Sequence, residues 1–449
     1  MNPRYHLIKN GTIVNEGESF KADILIKGEL IEKILLNGAT PGISHQYSTT
    51  DATGCIVIPG LIDDQVHFRE PGATYKADIQ SESAAAVLGG VTSYMDMPNN
   101  NPPATTFEQL ESKYHIASKN SFANYSFYLG ATNDNIEEIQ RINLREICGL
   151  KVFMGSSTGN MLVDNKESLD KIFEKSPSLI ATHCESENII HKNTERAKQK
   201  YGEEIPFFEH ANIRSREACI ESTQEAIFLA QKHKSRLHIL HISTKEEIEL
   251  IRAARQNNPD ITAEACVHYM IFNDTMYEEY GSKIKCNPSI KNKEDQIAIR
   301  NAVKDGIIKV VATDHAPHTI DDKNNKYLKA PSGLPLVQHS LQLMLELHKQ
   351  GVFTIEEVVD RMAHSPANCF KVKRRGFIRE GYYADISVVD LSAKQTVSSS
   401  NIVYKCKWSP FEGKEFNSRV IHTFVNGTQV VANGTLTGIK AGKRITFSI

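Results

Sequence analysis

The sequence predicts an α/β protein: a (β/α)8 TIM-type barrel with a small β-sandwich domain formed by both chain termini. Three observations predict it. Eight short apolar runs recur through the middle of the 449-residue chain, helical patterns fall between most of them, and β-rich stretches punctuated by Asn-Gly stand at both ends. Strands alternating with helices are the signature of a parallel barrel. Two β segments at opposite ends can pair into one domain. The expected division is 1–58 plus 380–449 for the composite β-domain and 59–379 for the barrel. A barrel of about 250 residues plus one smaller domain fits the length.

In chain order, HLIKNGTIVNEG predicts a strand, a turn at Asn10-Gly11 and a second strand. DILIKGELIEKIL repeats the pattern around Gly28-Glu29. The barrel strands are expected in LIDDQVHF (61–68), VTSYMDM (91–97), NYSFYLGA (124–131), GLKVFM (149–154), SLIATH (178–183), LHILHI (237–242), ITAEACV (261–267) and KVVATD (309–314). Helical patterns include SESAAAVLGG, NIEEIQRI, REACIESTQEAIFLAQKH and KEEIELIRAARQ. The stretch 184–236 is long for one crossover and must carry extra structure. The tail returns to β texture in YADISVVDL, VIHTFVNGTQVVANGTLTG and RITFSI.

Composition narrows the function. With 52 Lys+Arg against 54 Asp+Glu the formal charge is −2, which argues against a nucleic-acid or anionic-membrane partner. No apolar run approaches the roughly 18 residues of a membrane span. MNPRYHLIKN lacks an apolar signal-peptide core. The eight cysteines (55, 148, 184, 219, 266, 286, 369, 406) are scattered without a CxxC pair, as expected for reduced thiols in a cytoplasmic protein. A small-molecule substrate is the expected partner.

In such a barrel the chemistry sits at the C-terminal ends of the strands. The first run ends in Gln65, His67 and Arg69. The fourth carries Lys151, the fifth ends in His183, the sixth in His241, and the eighth in Asp314, followed by His315 and His318. Three imidazoles and a carboxylate at independent strand ends suit zinc or a similar divalent ion. A lone strand-end histidine is usually a hydrogen-bonded core or rim residue. His238 reads that way, because strand alternation points it away from His241. His45, His115, His233 and His422 show no pattern. An ammonium in an apolar strand is costly unless paired or modified. For Lys151 alone, a salt-bridged lysine is the plainer reading. The sharper one is a carbamate whose two oxygens bridge two cations.

PGLIDDQVHFREPG (59–72), MDMPNNNPP (95–103), GLKVFMGSSTG (149–159), THCES (182–186), LHILHIST (237–244), KCNPSIK (285–291), ATDHAPH (312–318) and the SPANCF…GFIREGYYADISVVDL tail together resemble the dihydroorotases, cyclic amidohydrolases of the amidohydrolase superfamily. The resemblance covers essentially the whole chain in order. It implies zinc, one or two ions per chain. His67 would bind an α metal, an N-carboxylated Lys151 would bridge, and His183 and His241 would bind a β metal. Asp314 would ligate the α metal and act as general base. Arg69, Asn99 and His318 would hold the substrate carboxylate, with Asn287 and the backbone near Gly333 gripping the ring amides. The implied reaction interconverts L-dihydroorotate and N-carbamoyl-L-aspartate in pyrimidine synthesis. Physical chemistry agrees: opening an unactivated cyclic amide needs a polarised carbonyl and an activated water, which a divalent ion supplies, and a carboxylate to move the proton. A planar guanidinium suits a substrate carboxylate.

The departure is Gln65, where most members carry the first His of His-x-His. An amide oxygen is a weaker ligand than imidazole for a borderline-soft metal. The rivals are a hydantoinase or allantoinase, whose substrates lack the ring carboxylate, and a catalytically impaired scaffold partnering aspartate transcarbamoylase. Retention of Lys151, His183, His241 and Asp314 favours an active enzyme, and Arg69 with His318 favours dihydroorotase. Family analogy points to a homodimer. The polar segment 319–333 is expected to be a mobile loop bordering the site.

Overall fold

The computed structural model describes residues 5–36, 42, 47–155 and 161–449. His45 and the end of the third motif (156–159) lie outside them. Eight parallel strands form a barrel: Leu61–Val66, Val91–Asp96, Asn124–Phe127 continued by Leu129–Gly130, Leu150–Phe153, Ile180–His183, Leu237–Ile239, Ile261–Cys266 and Val310–Ala312. Each lies within one of the eight apolar runs. The ring closes between the first and eighth strands, where the His67 N–H donates to the His315 carbonyl at 2.7 Å. Nearly every residue of these strands is buried, as expected for a parallel sheet covered on both faces.

Helices follow the strands and begin on side-chain caps. Asp78, Thr106 and Thr244 each form a reciprocal capping box at the heads of Ile79–Leu88, Phe107–Asn120 and Lys245–Asn257. The long crossover holds helix Glu187–Tyr201, a 3-10 turn at Phe207–Glu209 and a short helix His210–Ile213 before its main helix, Arg216–His233.

Both termini meet in one ten-stranded sheet. Ile56–Pro59 pairs antiparallel with Ile386–Asp390, Ile386 opposite Pro59. Ile8, Ile13, Ile24, Val57, Ile386, Val388 and Phe424 form its core. Gly28-Glu29, Asn426-Gly427 and Asn433-Gly434 each close a two-residue hairpin. The last two pairs have positive φ at both residues, which Asn-Gly tolerates.

Two expectations change. Asn10-Gly11 does not close a hairpin. Tyr5–Lys9 and Thr12–Asn15 both pair with the long strand Glu18–Lys27, and the chain merely kinks between them with Asn10 at φ 66°. The Asp23 carboxylate accepts the Asn10 N–H at 2.8 Å, so a partner strand decides what the dipeptide does. The run RITFSI leaves the sheet. It follows the third barrel strand, with Tyr125 N–H donating to Lys443 O and Ile445 N–H to Tyr125 O, and buries Ile445 and Phe447 against Met95, Tyr128 and Phe370.

Candidate active site

The strand ends converge on a cavity of about 430 Å³ lined by Gln65, His67, Arg69, Asn99, Lys151, His183, His241, Asn287, Asp314, His318 and Gly333. The structure thus brings together every candidate named from the sequence. Arg69, His241 and Asp314 reach it with φ of 65°, 40° and 49°. A non-glycine residue in this left-handed region costs on the order of 1–3 kcal/mol, and such residues concentrate at functional sites. At His241 this turn cancels strand alternation. Contrary to the sequence expectation, His238 and His241 both face the barrel interior, His238 below and His241 at the cavity.

The candidate ligands stand in two pairs. His67 Nδ1 donates to Asn99 Oδ1 at 2.7 Å, which leaves its Nε2 lone pair 3.0 Å from Asp314 Oδ1. Two acceptors at that distance need a cation or proton between them. His183 Nε2 donates to the Glu185 carboxylate at 2.8 Å, so its Nδ1 faces His241 Nε2 at 2.9 Å. The buried His241 Nδ1 has no hydrogen-bond partner among the described residues. Lys151 is buried to 1% exposure. Its ammonium forms no ion pair among the described residues and rests 4.5 Å from the Phe153 ring centre. The salt-bridged reading of Lys151 therefore finds no partner. Burial pushes this amine down to about 7, against the pull of Asp314 and Glu264. Burial also lowers His183 and, further, His241, which His183 and Lys151 lower more. Burial raises Asp314, but His67 outweighs it and holds the carboxyl below its usual range. Bare imidazoles, a carboxylate and an unpaired amine fit a divalent ion chemically.

Gln65 looks into the barrel, as its spacing from His67 requires. Its amide N–H donates to Asp314 Oδ1 at 3.2 Å, and its Oε1 accepts from the Cys266 thiol at 3.7 Å. A carboxylate only accepts, so the nitrogen must face Asp314. In this arrangement Gln65 braces a candidate ligand and turns its own oxygen elsewhere.

A second patch of the cavity is cationic. Arg69 Nη2 lies 3.2 Å from His318 Nε2, and Lys76 Nζ lies 3.0 Å from His318 Nδ1. No carboxylate ion-pairs with Arg69 among the described residues. Glu70, the neighbour that could have done so, accepts from the Ile79 N–H. Burial beside Arg69 and Lys76 holds His318 far below its usual range. Asn99 is engaged with His67. The Gly333 N–H donates to Lys285 O at 2.8 Å, and its carbonyl accepts from Lys323 at 2.8 Å. With φ 130° and an added Cβ only 2.5 Å from Ala316 O, only glycine fits there. The segment 319–333 borders the cavity as expected. It is tied inward: buried Lys323 donates to three carbonyls, those of Lys285, Pro331 and Gly333.

Supporting residues escaped the sequence reading. Glu185 orients His183 and is itself held by Arg214 at 2.5 Å. Burial raises the Glu185 carboxyl, but Arg214 and His183 outweigh it and hold it at about 2. The two-residue spacing in THCES was the available signal. Lys76 follows the first motif by four residues and had none. Buried Lys113 pairs with Asp96 at 2.6 Å, while Asp96 accepts the Phe68 N–H at 2.7 Å, fixing the loop between His67 and Arg69.

The Amidohydrolase family model matches residues 56–430. A dihydroorotase of Methanosphaera stadtmanae is 32% identical over 408 residues, covering 90% of this chain and 92% of that protein. One of Lactobacillus acidophilus is 31% identical over 439 residues, covering 96% and 99%. Among solved structures, an L-hydantoinase (dihydropyrimidinase) from Arthrobacter aurescens superposes with a TM-score of 0.92 at 26% identity, covering 98% of this chain and 99% of that one.

Proposed function

The chain belongs to the Amidohydrolase family and is a cyclic amidohydrolase; from that premise we propose that it is a zinc-dependent dihydroorotase, hydrolysing L-dihydroorotate reversibly to N-carbamoyl-L-aspartate. The observation that carries the substrate is Arg69: a half-buried guanidinium without a carboxylate partner among the described residues, beside His318 and Lys76 in the same cavity as the candidate metal ligands. An anionic substrate supplies the missing charge, and a neutral hydantoin does not.

His67 and Asp314 would hold one ion, His183 and His241 another, with a carboxylated Lys151 between them. Ions there would polarise the ring carbonyl and activate water. Asp314 takes a proton from the attacking water as the C–O bond forms, and returns it to the ring nitrogen as the C–N bond breaks. Arg69, His318 and Lys76 fix the substrate carboxylate, which orients the scissile amide toward Asp314. Asn99 holds His67, and Glu185 holds His183, in the tautomers that bare a nitrogen to the cavity.

A hydantoinase is the second reading, favoured by the close superposition on the Arthrobacter aurescens enzyme. Steady-state hydrolysis of dihydroorotate, hydantoin and allantoin separates the two. The proposal expects dihydroorotate to be strongly preferred, and comparable kcat/KM on hydantoin would overturn it.

A further inference from the structure

Beneath the cavity, inside the barrel, Asp64, His238 and Glu264 converge from the first, sixth and seventh strands, each fully buried at 0% exposure. Their hydrogen-bond bookkeeping does not close. The Thr262 hydroxyl reaches the Leu237 carbonyl at 3.2 Å and lies 2.8 Å from His238 Nδ1, and the Cys369 thiol lies 3.6 Å from the same nitrogen. With its hydrogen on Nδ1, directed at Thr262, His238 leaves Nε2 as a lone pair. It points at Asp64 Oδ2, 3.3 Å away, and Glu264 Oε2, 3.4 Å away. Neither Asp64 oxygen, nor Glu264 Oε2, nor His238 Nε2 has a hydrogen-bond partner among the described residues. No lysine or arginine ion-pairs with either carboxylate among those residues. Several acceptors therefore meet in the buried interior without a protein donor among the described residues, which is costly unless a cation sits among them.

We propose that Asp64, His238 and Glu264 form a structural divalent-metal site of the zinc class, separate from the ligands that line the cavity. The spacing fits. Donors about 2.0–2.2 Å from a tetrahedral ion stand about 3.3–3.6 Å apart, whereas hydrogen-bonded N–H···O pairs stand about 2.7–3.2 Å apart. One imidazole and two carboxylates are zinc donors. Magnesium keeps several waters and calcium takes six to eight oxygens, for which this interior provides no set. The site would also brace the cavity: Glu264 Oε1 accepts the His241 backbone N–H at 3.1 Å, at the left-handed turn that aims His241. Asp64 adjoins Gln65, so one strand presents a carboxylate to the lower site and an amide to the upper one. The inference does not depend on which cyclic amide the enzyme opens.

The test is zinc-edge anomalous diffraction from crystals of the full chain, stripped with chelator and reloaded with zinc alone. The expected result is a peak bonded to Asp64, His238 Nε2 and Glu264, distinct from any peak in the cavity. No peak there overturns the proposal, since the carboxylates then share protons instead. In solution, Asp64→Asn should lose one zinc equivalent per chain by elemental analysis. If that variant folds and keeps the native zinc count, the site does not exist. If it fails to fold, the native crystals decide.

Discussion

The Gln65 amide donates to Asp314 Oδ1 at 3.2 Å, across the seam between the first and eighth barrel strands. A neutral amide therefore steadies the proposed base where an imidazole would have added a metal bond. The α metal should then have fewer strong ligands than the β metal and leave first under graded chelation. Gln65→His should raise the chelator concentration at which the first ion leaves. Metal analysis along the titration checks this. Identical release profiles, or prior loss of the β metal, would show that Gln65 does not weaken the α site.

Arg69→Met removes the unpaired guanidinium. A hydrogen bond to a charged group is worth about 1.5–3 kcal/mol, so kcat/KM for dihydroorotate should fall about 10- to 150-fold or more. Metal content should stay at the native level, because Arg69 touches His318 and Pro317 and none of the candidate ligands. Unchanged kinetics would remove Arg69 from the substrate site.

Lys151→Ala should lose bound metal and activity together. A short carboxylic acid added to that variant should restore part of both, by supplying oxygens where the carbamate stood. Mass spectrometry of the native protein under carbon dioxide should find the extra mass on Lys151. A native structure with an unmodified ammonium there, in an active metal-loaded protein, would refute the bridge.

His339 predicts an acid limb to stability. Burial, with His315 adding to it, pushes its imidazole from 6.5 down to about 3. Between those values the unfolded chain binds a proton that the folded chain refuses. This contribution to stability is complete above 6.5 and is lost as the pH falls through the window. His339→Gln keeps an acceptor toward Tyr404, 3.3 Å away, and removes the titration. Its Tm should decline less steeply than the native Tm between about pH 6.5 and 4, the upper part of that window. Parallel declines would show that His339 is not a source of the acid limb.

The barrel and the residues at its mouth were legible in the sequence. Apolar runs of strand length, alternating with helical periodicity, leave few folds that bury them all, and in a parallel barrel the strand ends share one face. His67, Lys151, His183, His241 and Asp314 were legible because each sits at a run whose direction the topology fixes. Local pattern carries nothing about a partner hundreds of residues away. Long-range packing sets the kink of Asn10-Gly11 along Glu18–Lys27 and the course of RITFSI beside the third barrel strand. It also sets Glu185 against His183 and brings Asp64, His238 and Glu264 together inside the barrel. The reversed reading of His238 has the same root. Period-two alternation holds while φ stays extended, and the left-handed turn at His241 is set by the packing around it.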